Sequence, residues 1–130
     1  MHRQELLDLL ARHRTPFIEE AGHVRRTEAF VRTYEDCFHC DLWPGHVTGS
    51  AWVVSPDRRR VLLQHHRKHD LWLQPGGHAD GETDILGVAL RETAEETGLE
   101  PGHIRLVSGE VFDVDVHAIP ASPRGPRHDH

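Results

Sequence analysis

The chain lacks the features of a secreted, membrane-spanning or nucleic-acid-binding protein. Its two cysteines, Cys37 and Cys40, are too few for a disulfide framework. No run reaches the roughly 18 apolar residues that a membrane span needs, and the charged N-terminus lacks the apolar stretch of a signal peptide. The formal net charge of −6 leaves no basic surplus to drive counterion release from nucleic acid. We therefore expect a cytoplasmic protein with no membrane or nucleic-acid partner.

The composition fits one soluble globular domain. At 130 residues, with 37% hydrophobic and 28% charged residues, the chain is long enough for one core but not for two. Its 13 histidines are the unusual feature, and because histidines titrate near neutrality, the net charge in mild acid should be less negative than −6. A phosphorylated small molecule stays open as a partner, since a local basic cluster or a metal ion could bind it.

Apolar spacing and turn residues predict helices first and strands later. Leucines at helical spacing predict an amphipathic helix over residues 3–13, and a second helix is predicted over 27–37. β-Branched and apolar runs predict a buried strand over 47–55, a second strand at 61–63, an extended piece at 71–73 and more strands over 104–119. The tail at 120–130 is rich in Pro, Gly, Arg and His, so we expect it to have nothing to bury.

The best-defined helix is predicted over residues 84–97. Thr83 or Asp84 can serve as its N-cap, and Gly98 stands where a left-handed C-terminal residue belongs. The order of elements predicts an α/β (or α+β) sandwich with this helix packed on a mixed sheet. We expect one domain, divided into an N-terminal helical segment at 1–45, a core at 46–119 and the tail.

Three carboxylates share one side of this helix. Glu92, Glu95 and Glu96 are three and four residues apart, which places them within roughly a 100° sector. Like charges this close repel one another, and a divalent cation that prefers oxygen ligands would relieve the repulsion. A solvated face of a surface helix explains the same pattern, so the spacing alone leaves both interpretations open.

The sequence around these carboxylates resembles the Nudix box. Residues 76–83 are GGHADGET, and seven residues later residues 91–99 are RETAEETGL. The family pattern is Gly, five residues, Glu, seven residues, Arg-Glu, an apolar residue, any residue, Glu-Glu, any residue, Gly and an apolar residue. Two positions depart from it: Thr83 replaces the first Glu of the box, with Glu82 one residue earlier, and Thr93 replaces an apolar residue.

The resemblance implies a metal-dependent hydrolase with an α/β/α sandwich fold. Glu92, Glu95 and Glu96 would ligate Mg²⁺ or Mn²⁺ and form the catalytic set, with the carbonyl of Gly76 as a further ligand. Glu92 would orient or deprotonate the attacking water. The family's typical substrate is a nucleoside diphosphate linked to another moiety, so the implied activity is cleavage of a phosphoanhydride bond.

The resemblance also implies structural roles for the loop before the helix. Gly77 and Gly81 would let the loop turn and approach the cation, and Arg91 would hold the loop onto the helix. In the family, the first Glu of the box is tied to that Arg or helps at the metal. Either Glu82 does this from a shifted loop, or the salt bridge is missing.

Several residues outside the box have two interpretations. The basic cluster that includes His65, His66 and Arg67 either meets the anionic end of the substrate or is a solvated loop. Trp72 either stacks on a base or belongs to the core, which is the commoner place for it. His78 either points into the cleft or has a role in the loop.

Two further groups are weaker candidates. Cys37 and Cys40 form one CxxC pair, which is half of a usual zinc site, so reduced and partly buried thiols are the preferred interpretation. Glu110, Asp113 and Asp115 could supply the acidic ligand or base that the family often places beyond the box. Acidic residues that alternate along a strand usually mark its solvent-exposed face.

The chain continues for about 30 residues after the box, where Nudix domains usually continue with more strand and a closing helix. We expect that the chain is truncated, or that the N-terminal helices or a second subunit in a homodimer complete the fold. Two alternative functions are a non-catalytic Nudix-like sensor that binds a nucleotide and, with less support, isopentenyl-diphosphate isomerase. The cysteine context of that isomerase is not evident around Cys37 or Cys40.

Overall fold

The computed structural model of the chain describes residues 2–130. The helices are α1 (Gln4–Arg12), α2 (Ile18–Thr33) and α3 (Ile85–Thr97), with a short 3₁₀ turn at Pro101–His103. The strands are β1 (Thr48–Ser50), β2 (Val53–Val54), β3 (Val61–Leu62), β4 (Gln64–His66), β5 (Leu71–Leu73), β6 (Gly76–His78), β7 (Ala118–Ile119) and β8 (His128–Asp129). Helices and strands are mixed, with two helices ahead of the strands, which confirms the predicted α/β class.

The strands form four antiparallel pairs, namely β1 with β6, β2 with β3, β4 with β5, and β7 with β8. In the first pair, Gly49 lies opposite Gly77. Helix α3 packs directly on this pair. A Cβ atom added to Gly49 would lie 3.0 Å from Cγ1 of Val88, so the small residue lets the helix approach the strand closely. The β1–β6 pair is therefore the platform that positions α3.

The apolar core joins the N-terminal helices to this platform. Its buried side chains are Leu6, Leu7, Leu10, Val31, Cys37, Phe38, Ala79 and Val88. The guanidinium of Arg3 is buried with them, and its Nη1 donates to the carbonyls of Val31 at 2.7 Å and Arg32 at 3.1 Å. These carbonyls lie at the end of α2, where a helix lacks internal donors and favours positive charge. Arg3, which directly precedes α1, therefore connects the start of α1 to the end of α2.

Helix α3 begins and ends as the sequence predicts. The side chain of Asp84 accepts a hydrogen bond from the Gly87 N–H at 3.0 Å, and Gly98 adopts the left-handed conformation with φ of 72°. Thr93 is almost fully buried although it replaces an apolar residue. Its hydroxyl donates to the Ala89 carbonyl at 2.7 Å, which satisfies its only polar group within the helix.

The first two helix predictions differ in accuracy. The helix predicted over 3–13 is confirmed as α1. The helix predicted over 27–37 is wrong at both ends, because α2 begins at Ile18 and ends at Thr33. Its first two turns carry few apolar residues, so hydrophobic spacing missed them. Glu19 and Glu20 occupy its first turn, where negative charge stabilises a helix.

The buried strand predicted over 47–55 is also wrong in part. It is divided into β1 and β2, which pair with different partners, and Trp52 between them is half exposed. The second predicted strand, at 61–63, is confirmed as β3. Strand β4 was expected to be a loop, and it pairs with the extended piece confirmed as β5.

The strands predicted over 104–119 are largely absent from the part of the chain that the structure describes. Only β7 forms there, and residues 111–117 have no regular secondary structure. The ring of His13 bonds to the Val111 carbonyl at 3.1 Å, and the carboxylate of Glu20 accepts from the Val114 N–H at 3.4 Å. The alternation of Val and Asp predicted strand pairing, whereas side chains of the N-terminal half bond to this backbone instead.

The tail is part of the folded structure, which corrects the expectation that it has nothing to bury. Strand β8 pairs with β7, and its Asp129 donates through N–H to the Pro44 carbonyl at 2.9 Å. The carbonyl of Asp129 accepts from the His46 N–H at 3.1 Å. The end of the chain is thereby joined to the segment before β1.

No helix between residues 2 and 130 has the length and apolar character needed to cross a membrane.

Candidate active site

The glutamate side chains of α3 face the glycine strand β6. The carboxylate of Glu92 lies over Gly77, where an added Cβ atom would come within 2.5 Å of its Oε2. Any larger residue at position 77 would therefore displace this carboxylate. The second glycine of the box and the first glutamate of the box helix are therefore in direct contact.

Glu96 lies one turn further along the same face. Its Oε2 accepts from the Gly76 N–H at 3.0 Å and from the side-chain amide of Gln64. Gln64 opens β4, so this carboxylate connects the helix to both β6 and the β4–β5 hairpin. Glu95 is exposed beside it. Glu92 and Glu96 therefore both contact β6, at Gly77 and Gly76, and Glu95 is the exposed residue next to Glu96.

Arg91 ties the loop to the helix. Its guanidinium forms an ion pair with Glu82 and donates to the His78 carbonyl at 3.1 Å and to Oε1 of Glu92 at 3.1 Å. Of the two alternatives raised by Thr83, the missing salt bridge is wrong. Glu82 contacts Arg91 from one residue earlier in the loop.

Left-handed residues shape that loop. Gly81 has φ of 89°, and Asp80 before it has φ of 52°. The Gly81 N–H donates to the Phe38 carbonyl at 2.9 Å, so the turn is anchored to the core. This conformation is costly for residues with a Cβ atom. The loop therefore has a fixed path between β6 and α3.

The donor set of the glutamates fits a hard divalent cation. Three carboxylates and nearby backbone groups are the oxygen ligands that Mg²⁺ prefers. Within residues 2–130, the oxygens of Glu92, Glu95 and Glu96 do not all lie within 4.8 Å of one another. Glu92 is turned to Arg91 and Glu96 to Gln64. The three carboxylates therefore suit the ion chemically, and in this structure Glu92 and Glu96 accept hydrogen bonds from Arg91 and Gln64.

The β4–β5 hairpin carries most of the residues predicted to contact substrate. His65 and Trp72 face each other across the two strands, with ring centroids 5.1 Å apart. The ring of His65 also bonds to Asp70 at 2.7 Å. Trp72 is 66% exposed, so the interpretation of Trp72 as a core residue is wrong. Arg67 is exposed in the turn between the strands.

The other two predicted contact residues lie apart from this pair. His66 stacks on His69, with ring centroids 4.6 Å apart. His78 points toward His46 and His130, at centroid distances of 4.9 and 5.2 Å. From the β4–β5 hairpin, Gln64 contacts the box glutamate Glu96. No motif in the sequence predicted this contact.

The acidic residues beyond the box contact the N-terminal half of the chain. Glu110 pairs with Arg12 at 3.1 Å, and Asp115 pairs with His23 at 3.3 Å. Burial, together with the nearby charge of Glu20, raises the pKa of Asp113. All three side chains therefore lie against residues of α1 and α2.

The two cysteines have different surroundings. Cys37 is fully buried, and burial raises the pKa of its thiol to about 11. Cys40 is exposed, and partial desolvation and a hydrogen bond with Asp80 raise the pKa of its thiol as well. Among the described residues, they share no group of metal-binding atoms. Free thiols, the preferred interpretation, fit these surroundings.

A large cavity borders α3 at Leu86 and Leu90. It measures about 1900 Å³ and is lined by Leu86, Leu90 and residues of the N-terminal helices, β1 to β3 and 103–117. None of the three box glutamates lines it. The site on α3 is therefore an exposed surface feature and is separate from this apolar cavity.

Comparison with known proteins assigns the family. The family model of the NUDIX domain matches residues 45–129, about two thirds of the chain. The chain belongs to the Nudix family. The two N-terminal helices precede the matched region, which includes both the box and the C-terminal strand β8 of this Nudix domain.

A curated relative is similar to part of the chain. The asymmetrical bis(5'-nucleosyl)-tetraphosphatase of Mus musculus is 41% identical over 49 residues, which is 38% of this chain. The match spans 33% of the length of that relative. The similarity therefore concerns a segment of the mouse protein and leaves most of its sequence unmatched.

Proposed function

We propose that the protein is a metal-dependent hydrolase that cleaves a phosphoanhydride bond in a nucleoside diphosphate linked to another moiety. The observation that carries the proposal is the placement of Glu92 over Gly77 and of Glu96 on the Gly76 N–H. Membership of the Nudix family supports the same proposal, in which these carboxylates and Glu95 would meet the cation and the phosphates.

Glu92, Glu95 and Glu96 would hold Mg²⁺ or Mn²⁺, with the carbonyl of Gly76 as a further ligand. The bound cation would lower the pKa of water and neutralise charge that develops on the phosphates. Glu92, whose side chain is 17% exposed, would orient or deprotonate the attacking water. Arg91 keeps this carboxylate in place by donating to its Oε1.

The exposed hairpin is the proposed contact surface for the rest of the substrate. Trp72 presents a flat aromatic ring to solvent, and His65 packs beside it. An aromatic ring can stack on a nucleobase, and stacking of this kind contributes about 1–3 kcal/mol per base. His66 and Arg67 lie on the same hairpin and would meet anionic groups. His78 is a further proposed contact, next to Gly77.

The name of the mouse relative suggests the first compounds to test. We would measure turnover of dinucleoside polyphosphates, beginning with a bis(5'-nucleosyl) tetraphosphate, and of nucleotide sugars, ADP-ribose and nucleoside triphosphates, each with Mg²⁺. The Glu96→Gln variant tests the site, and Glu100→Gln, which changes an exposed glutamate beyond the helix, is the matched control. We expect turnover to fall at least about tenfold in Glu96→Gln and to be unchanged in the control.

The same panel separates hydrolysis from the alternative of a nucleotide sensor. Turnover that needs Mg²⁺ and is lost in Glu96→Gln supports the hydrolase. Saturable binding of a nucleotide without turnover of any compound would overturn the hydrolase in favour of the sensor. The domain boundaries, the cytoplasmic location and a homodimer stay predictions.

A further inference from the structure

Three histidines from distant parts of the sequence meet on the side of β6 that carries His78. Each of His46, His78 and His130 offers a ring nitrogen, and these nitrogens all lie within 4.8 Å of one another. The ring centroids of His46 and His130 are 4.6 Å apart. Around a tetrahedral zinc ion, ligand nitrogens at 2.0–2.1 Å from the metal are about 3.3 Å from each other. The rings are thus near ligating positions.

We propose that His46, His78 and His130 form a binding site for a transition-metal ion of the zinc class, separate from the glutamates of α3. Neutral imidazole nitrogen suits Zn²⁺, Ni²⁺ and Cu²⁺, whereas Mg²⁺ prefers oxygen ligands. The two sites therefore select different ions.

The unpartnered ring of His46 is an independent sign of a missing ligand. The residue is 4% exposed, and neither Nδ1 nor Nε2 has a hydrogen-bond partner among the described residues. A buried polar group without a partner is costly, and native structures rarely keep one. A metal ion bound by one of these nitrogens would satisfy it.

The backbone holds the three ligands in place before any ion binds. His46 precedes β1 by two residues, and Thr48 of β1 lies opposite His78 in the strand ladder. His130 and His117 exchange two backbone hydrogen bonds, at 2.9 and 3.0 Å. The His46 N–H donates to the carbonyl of Asp129, beside His130. All three ligands therefore sit on paired backbone, and little ordering is needed on binding.

Each of the three rings can supply one ligand atom. A neutral imidazole has one unprotonated nitrogen with a lone pair for a metal ion.

His128 is placed to support the site. Its Nδ1 lies 2.9 Å from the Pro126 carbonyl, which can only accept, so Nδ1 donates and carries the hydrogen. In the neutral ring, the lone pair is then on Nε2, which lies 3.2 Å from Nε2 of His130. His128 therefore presents a lone pair next to His130, outside the set of nitrogens that lie within 4.8 Å of one another, and water would complete the coordination at the exposed edge of His78.

A competing group shares one member with this site. Cys40, His78 and Asp80 also have ligand atoms within 4.8 Å of one another, but all three residues are exposed. The Cys40 thiol shares a hydrogen bond with Asp80, and this bond helps raise its pKa. A raised pKa disfavours the thiolate that metals bind. The buried His46 makes the three-histidine group the better site.

Binding of an ion would join the C-terminal strand to the glycine strand of the box. His130 directly follows β8, and His78 ends β6 next to Gly77. The proposed ion would thus join β8 to β6 and hold His78 in place next to Gly77.

Zinc titration of the full chain tests the proposal. Chelator-treated protein would be titrated with Zn²⁺ by calorimetry in excess Mg²⁺, and with Co²⁺ as a visible-absorption probe of tetrahedral nitrogen ligation. We would compare His130→Gln and His78→Gln with Cys40→Ser and with His69→Gln, which changes an exposed histidine outside the cluster. Circular dichroism would check the fold of each variant.

We expect one equivalent of Zn²⁺ per chain, binding that weakens at least about tenfold in both cluster variants, and unchanged binding in the two controls. If His130→Gln does not fold, His78→Gln decides the outcome because His78 is exposed. The proposal is overturned if the unaltered protein binds no stoichiometric Zn²⁺, if binding survives both cluster variants, or if Cys40→Ser abolishes it.

Discussion

At the scale of single residues, the pair of Glu82 and Arg91 decides how the glycine loop is held. The partner of Arg91 stands one residue earlier than the box pattern places it, yet the ion pair forms. The sequence was compatible both with this ion pair and with its absence, because the path of the loop depends on the left-handed conformation of Asp80 and Gly81. Asp and Gly tolerate this conformation locally, and the hydrogen bond from the Gly81 N–H to the Phe38 carbonyl fixes the turn against the core.

Loss of this pair should reduce activity more than stability. The two side chains are about 35% and 41% exposed, so Glu82→Gln should change the free energy of unfolding by less than about 1 kcal/mol. Turnover should fall several-fold, because Arg91 would no longer hold the loop beside Glu92. Urea unfolding and kcat/KM at saturating Mg²⁺ measure the two effects, with Glu100→Gln as control. Unchanged kcat/KM would contradict the role given to the pair.

The buried thiol of Cys37 should be unreactive at neutral pH. Its pKa is raised to about 11 by burial, and only the thiolate attacks disulfide reagents. In the native protein, we expect exposed Cys40 to react much faster with a disulfide reagent than Cys37 does, although its own raised pKa keeps it slower than an ordinary exposed thiol. Both thiols should react after unfolding in urea, and the native Cys40→Ser variant should show no fast phase. Fast labelling of both thiols in the native state would contradict the burial of Cys37.

The three-histidine cluster marks the limit of prediction at this scale. His46, His78 and His130 are separated by at least 32 positions in the numbering, so no motif spacing connects them. The high histidine content was the available signal, and it gave no location. By contrast, the glutamates were found because one helix carries all of them at a fixed spacing.

At the scale of elements, α3 was predicted closely and the irregular segment after it was not. Both ends of α3 are encoded locally, by the cap of Asp84 and the left-handed Gly98. The segment over 110–117 has the alternation of a strand, yet the backbone of Val111 and Val114 bonds to the side chains of His13 and Glu20. Local pattern predicts an extended chain, whereas the choice of partner depends on tertiary packing.

Glu20 is the carboxylate that connects these elements. It accepts hydrogen bonds from the Thr15 hydroxyl and from the Val114 N–H, and its Oε1 lies 2.7 Å from the ring of His13. The hydrogen bond from Thr15, followed by that from His13, lowers the pKa of this carboxyl below its usual value of 4.5. The charged form is therefore stabilised in the folded state.

Glu20→Gln should lower the free energy of unfolding by about 2 kcal/mol at neutral pH, the usual contribution of hydrogen bonds to a charged group. Because the folded pKa is depressed, this stabilisation is present above pH 4.5 and is lost as the pH falls below it. Urea unfolding at pH 7 and pH 3 checks both statements, with Glu19→Gln as the neighbouring exposed control. An equal loss in the two variants would contradict the connecting role.

At the scale of the whole molecule, strand β8 connects residues 128–129 to β7 and to the segment before β1. The family match extends to residue 129, and β8 bonds to the segment at Pro44 and His46. Composition suggested a solvated tail, because Pro, Gly and Arg dominate it. Backbone pairing supplies its order without large apolar side chains, and such pairing leaves little trace in composition.

Removal of residues 127–130 should destabilise the molecule and expose the segment before β1. The four backbone hydrogen bonds to Pro44, His46 and His117 would be lost, at about 1 kcal/mol each, together with the pairing of β8 with β7. Asp129→Asn keeps these bonds and weakens only the exposed ion pair with Arg26, so it should have little effect. Urea unfolding and hydrogen exchange at residues 44–48 would measure the change. Unaltered protection in the shortened chain would contradict closure by β8.

The most direct test of the central claim is a titration with Mn²⁺ followed by electron paramagnetic resonance, because the claim is that Glu92, Glu95 and Glu96 bind the catalytic cation. We predict binding of Mn²⁺ that Mg²⁺ displaces, that weakens at least about tenfold in Glu92→Gln and Glu96→Gln, and that His130→Gln leaves unchanged. Absence of binding, or binding that is equal in the unaltered protein and both glutamate variants, would contradict the claim.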